Sequence, residues 1–86
     1  MENKRILELV RILLQQPDYI TISKITELLQ VSNKTIRNDL DTVADYLKDH
    51  TLSLCRKTGV GVRIEGSEEK KLTLLHSITS HSHELG

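Results

Sequence analysis

Ser32, Asn33, Lys34, Thr35, Arg37 and Asn38 fall in one short run that combines hydroxyls, carboxamides and cations. Asn38 has the donor and acceptor that pair in bidentate fashion with an adenine edge, and Lys34 or Arg37 can reach guanine O6 and N7. The Ser32 and Thr35 hydroxyls, beside the free N–H groups of a helix start, suit a phosphate. A second basic group follows. From Thr51 to Ile64 the chain carries Arg56, Lys57 and Arg63 and no acid. Cations near a loop tip suit the phosphate backbone or the minor groove, although basic residues also guard exposed strand edges against aggregation. Together these residues point to reading a duplex, not to transforming a substrate.

Such side chains need a scaffold. Ile36, Leu40, Val43 and Leu47 are spaced four, three and four apart, the stripe of a helix running to about Lys48. On a wheel of about 100° per residue, Lys34, Asn38, Asp41 and Asp45 lie opposite the stripe. Asn33 and Arg37 flank one edge and Thr35 the other. Charge is polarised along the axis too: Lys34 and Arg37 come first, then Asp39, Asp41, Asp45 and Asp49 against Lys48. A helix that enters the major groove by its N-terminus has that arrangement, because its later turns leave the groove. A preceding helix offers Ile25, Leu28 and Leu29 to a core. Ser23 and Ser32 are the expected N-caps, and Gln30-Val31 leaves room only for a sharp turn. If Gln30 is left-handed it carries strain of order 1 kcal/mol, and glycine there should raise the melting temperature.

Upstream, residues 3–16 read as a helix capped by Asn3, with Ile6, Leu7, Leu9, Val10, Leu13 and Leu14 on its apolar face and Pro17 ending it. Tyr19 to Ile22 reads as a short strand or extended link. Downstream, Leu52 and Leu54 alternate with Ser53 and Cys55, and Val60, Val62 and Ile64 with Arg63 and Glu65. Lys57-Thr58-Gly59 between them is a hairpin turn. Ser67-Glu68-Glu69 opens a fourth helix to about Thr79, with Leu72 and Leu75 facing the domain and Leu74 and Ile78 facing elsewhere. The fold class is therefore α+β: helix, short strand, helix, helix, two-stranded wing, helix, a winged helix-turn-helix.

Composition narrows the function. Eighty-six residues make one modest core, and with aromatics at 2% it must be Leu, Ile and Val. That scarcity also leaves no stacking platform for single strands. Net charge is zero, so only the local distribution of cations speaks for a polyanion. A lone Cys55, no apolar run near the roughly 20 residues of a membrane span and no signal-like start point to a cytoplasmic protein. Gly59-Val60-Gly61 lacks the third glycine of a dinucleotide fingerprint, so its glycines serve a turn. His76, His81 and His83 read as exposed imidazoles, not metal ligands. No catalytic constellation, cofactor site or metal site is expected.

Val31-Ser32-Asn33-Lys34-Thr35-Ile36-Arg37-Asn38-Asp39-Leu40 resembles the V-S-x-x-T-I-R-x-D-L core of DeoR-like bacterial regulators. Lys57-Thr58-Gly59-Val60-Gly61-Val62-Arg63-Ile64-Glu65-Gly66 is similar to the wing of a narrower group, the activators of sugar operons under phosphotransferase-system control, such as mannitol-operon activators. The resemblance runs from about Lys4 to Leu75. It implies an N-terminal DNA-binding domain ahead of phosphorylatable regulatory (PRD) domains, in a protein that pairs as a homodimer. Two positions depart from the pattern: Gln30 stands where glycine is common, and Thr26 where alanine is.

The expected organisation is a winged-helix domain over residues 1–80 and a frayed tail over 81–86 leading to an absent regulatory region. Alone, the domain should be monomeric or weakly associating. The expected function is sequence-specific binding of double-stranded DNA by a regulator of carbohydrate genes. A biotin-repressor-like domain of an enzyme, a winged helix used for protein contacts, and a small metal or redox protein are the rival readings.

Overall fold

In a computed structural model, residues 4–85 are described, with side chains through Thr79. The elements are α1 (Lys4–Leu14), α2 (Ile22–Leu29), α3 (Asn33–Lys48), β1 (Ser53–Lys57), β2 (Gly61–Glu65) and α4 (Glu68–Leu85). This is the expected α+β winged helix-turn-helix. Asn3, the expected cap of α1, and the imidazoles of His81 and His83 lie outside the described side chains. None of the described helices is long and apolar enough to cross a membrane.

The helix α3 is anchored as its spacing requires. Ile36, Leu40, Val43 and Leu47 are all fully buried, packed with Leu9, Val10 and Leu13 of α1 and Ile25 of α2. α1 is the central support and touches α2, α3, β2 and α4. Its buried face includes Ile12, and the helix ends at Leu14, earlier than expected. From α2 only Ile25 is fully inside; Leu29 packs against the core, and Leu28, expected there, is 50% exposed.

Asp39 departs from the axial charge pattern. It lies three residues after Ile36 and four before Val43, so it belongs to the inward stripe and is 7% exposed. Burying a carboxylate alone is costly. Arg5 of α1 meets it with Nε and Nη2, at 2.5 and 3.2 Å, in a two-pronged contact that ties the first helix to the third. The hydrogen bond, and then the charge of Asp39, raise the Arg5 guanidinium further above its ordinary pKa.

The first helix of the motif starts earlier than expected. Thr21, not Ser23, is the N-cap: its φ is −74° and ψ 153°, and its hydroxyl accepts from the Lys24 N–H at 3.1 Å. Ile22 already belongs to the helix, so the expected strand at Tyr19–Ile22 shrinks to one bridge in which Ile20 and Val62 exchange both backbone hydrogen bonds. That bridge ties the loop before α2 to the far edge of the hairpin.

Gln30 ends α2 in the left-handed region, with φ 60° and ψ 45°. Its N–H donates to Thr26 O at 2.7 Å, and its side-chain Nε2 donates to Glu27 O at 3.0 Å. The side chain thus satisfies a helix-end carbonyl that glycine would leave to water, offsetting part of the strain. The simple gain expected for glycine must be replaced by a comparison of Gln30→Gly with Gln30→Ala. Both lose the amide, but only alanine keeps the steric cost, so glycine should be the more stable of the two by about 1 kcal/mol. Equal melting temperatures would show that this position stores no backbone strain.

β1 and β2 pair antiparallel with Leu54 opposite Ile64, Arg56 opposite Val62 and Lys57 opposite Gly61. Gly59 takes φ +79° in the turn, where the Val60 N–H donates to Lys57 O at 3.0 Å. The fourth helix is turned from its expected orientation. Leu74 and Ile78 are buried, while Leu72 is 60% exposed. The i, i+4 pair selected by α1 is therefore Leu74–Ile78, a choice that the leucine-rich sequence left open.

Candidate nucleic-acid interface

The start of α3 is built by its cap. Ser32 has φ −77° and ψ 160°, and its Oγ accepts from the Thr35 N–H at 3.2 Å. The Ser32 and Thr35 hydroxyls lie 3.0 Å apart. One proton is spent between them and the other remains for an incoming anion. Asn33, Lys34, Arg37 and Asn38 are exposed around this end. Among the described residues neither Lys34 nor Arg37 joins an ion pair.

Tertiary structure brings the wing to the same side. An open groove of about 620 Å³ runs between the starts of α2 and α3 and the hairpin. Asn33 and Arg37 line it from α3, Arg56, Lys57 and Thr58 from the wing, and Thr21 and Ser23 from α2. The α2 contribution was not anticipated. Its sequence signal is the Ile22–Ile25 spacing, which sets Thr21 as the cap and aims that helix end at the groove. Lys34, Asn38 and Ser32 stand exposed on the α3 end beside the groove, not in its lining.

Arg63 is elsewhere. It projects from the hairpin face that also carries Cys55, with which it is paired in register. Its guanidinium meets Asp18 at 3.4 Å and Glu65 at 3.2 Å and sits 5.2 Å from the centre of the Tyr19 ring. The Tyr19 hydroxyl lies 3.2 Å from Cys55 Sγ, and that contact, followed by burial, raises the phenol pKa. Lys57 Nζ lies 5.9 Å from the same ring and has no ion-pair partner among the described residues. Arg56 is paired: its Nη1 donates to Asp41 Oδ1 at 2.8 Å.

A tight turn between two packed helices, an exposed polar start on the second and a hairpin beside it define a winged helix-turn-helix, an architecture that can present its second helix to the major groove of DNA. The chain belongs to the DeoR-like helix-turn-helix domain family, whose model matches residues 4–51, the span from α1 to the end of the reading helix. It is 38% identical over 82 residues to the transcriptional regulator ManR of Bacillus subtilis (strain 168). That match covers 92% of this chain, wing included, and 13% of the relative. No solved structure matches the chain.

Proposed function

We propose that α3 enters the major groove by its N-terminus, with Lys34, Arg37 and Asn38 at base edges or flanking phosphates and the wing over the adjacent backbone. The observation that carries this reading is the groove in which Asn33 and Arg37 face Arg56 and Lys57. Ser32 and Thr35 are assigned to phosphate beside the helix start. Arg63, tied to Asp18 and Glu65, would act from the outer side of the wing. The wider role rests on the relative, a named transcriptional regulator of which this chain spans 13%. The whole protein is a cytoplasmic, homodimeric regulator of carbohydrate uptake or utilisation genes, with residues 1–80 as its reading head. The isolated domain, with one small contact surface, is monomeric or weakly associating.

Duplexes selected from a random pool test the assignment. Lys34→Ala and Asn38→Ala should each relax base preference and cost roughly 1–3 kcal/mol in binding, the worth of one specific pair. Arg37→Ala should weaken all sequences more evenly if it holds phosphate. Lys57→Ala should lower the slope of log affinity against log salt by about one unit. Wild-type affinity and preference in all four variants would remove the assignment.

A further inference from the structure

The cation of the groove wall that is not free marks a control on how the groove meets DNA. Arg56 stands opposite Val62, on the hairpin face turned toward the body of the domain, so its side chain reaches across to α3. There it meets Asp41 at 2.8 Å, one helical turn beyond Arg37. Arg37, Arg56 and Lys57 all line the groove, yet only Arg56 has its charge matched by a neighbouring carboxylate. The pair is solvent-exposed, with the Asp41 side chain at 74% and that of Arg56 at 42%. An exposed pair of this kind contributes little to folding, so Asp41 can be changed without loss of the fold.

We propose that Asp41 is an affinity-limiting residue that competes with backbone phosphate for Arg56 and so lowers sequence-independent binding to DNA. The inference rests on the reading of α3 and the wing as the DNA contact. A phosphate that approaches this part of the groove meets a neutralised arginine and an exposed carboxylate, and both disfavour it. Lys34 and Asn38 share the outward face of α3 with Asp41 but lie nearer the helix start, and Asp41 pairs with Arg56, so their base contacts are kept. Sequence-independent affinity therefore falls for every duplex while base reading is kept.

Anisotropy with a random duplex and a selected duplex, each over a range of salt, tests this. Asp41→Asn should raise affinity for the random duplex about fivefold at 0.15 M salt and steepen its salt slope by about 0.9, the signature of one added phosphate contact. The selected duplex should gain by about the same factor, so that preference between the two is kept. In an Arg56→Ala background the same substitution should leave the slope unchanged. Asp45→Asn removes the same charge from α3 at a residue with no ion pair among the described residues, and should not reproduce the effect. An Asp41→Asn effect matched by Asp45→Asn, surviving loss of Arg56, or reversed into weaker binding would overturn the proposal while leaving the DNA-binding reading in place. A wild-type domain that binds neither duplex would overturn both.

Discussion

Leu40→Ala should destabilise the domain by about 2–5 kcal/mol, the usual cost of emptying a fully buried leucine site. Leu40 has no exposed surface and lies in the middle of the α3 stripe, among the other fully buried side chains of the core. The cavity would open beneath the helix that carries Lys34, Arg37 and Asn38. Small domains have only about 5–15 kcal/mol in total, so a large share of the stability would go with one side chain. The midpoint in a thermal melt should fall by about 10 °C or more, since each kcal/mol moves a domain of this size by roughly 4–8 °C. At a temperature where the variant is still folded, its base preference should match wild type, because no exposed residue of α3 has changed. A melt within a degree or two of wild type would show that Leu40 is not enclosed.

Gly61→Ala is the other large effect, and it links stability to the site. Gly61 has φ +134°, a conformation that side chains rarely adopt, and an added Cβ would press on the backbone carbonyl of Ile20, 2.7 Å from its carbon. The backbone strain alone is worth about 1–3 kcal/mol. Relief requires Ile20 to retreat from Val62, which breaks their exchanged hydrogen bonds at a further cost of about 1 kcal/mol each. A total near 3–5 kcal/mol follows. Gly59→Ala provides the control. Its φ of +79° is also unfavourable, but nothing lies within 4 Å of the added carbon, so it should cost only about 1 kcal/mol. Equal melts for the two variants would show that the approach of Ile20 to Gly61 does not matter. Faster amide exchange at Ile20 and Val62 in Gly61→Ala alone would show the loop before α2 detaching from the wing, and with it one wall of the groove.

Much of this domain was legible in its residue order because local periodicity and end chemistry are short-range properties. The α3 stripe, the Ser32 cap, the Gly59 turn and the alternation of Val62 and Ile64 each depend on neighbours a few residues away, and each is found in the structure. The polar start of α3 follows from the same stripe, since what does not face the core is available for recognition.

What remained open depended on partners distant in the chain. In α4 the leucines at 72, 74 and 75 allow more than one inward face, and only the position of α1 selects Leu74 with Ile78. Asp39 could pass for a solvated acid until Arg5, 34 residues earlier, is placed against it. Arg56 and Arg63 count equally in the sequence as basic wing residues. Strand register sends one across to Asp41 beside the groove and the other to the opposite face, against Asp18, Glu65 and Tyr19. The sequence by itself determined the helix-turn-helix, the wing and the polar, basic start of α3. Tertiary structure alone decided which cations are free and which are neutralised, because a charge acts over the few ångströms to its neighbours in space, and the fold chooses those neighbours.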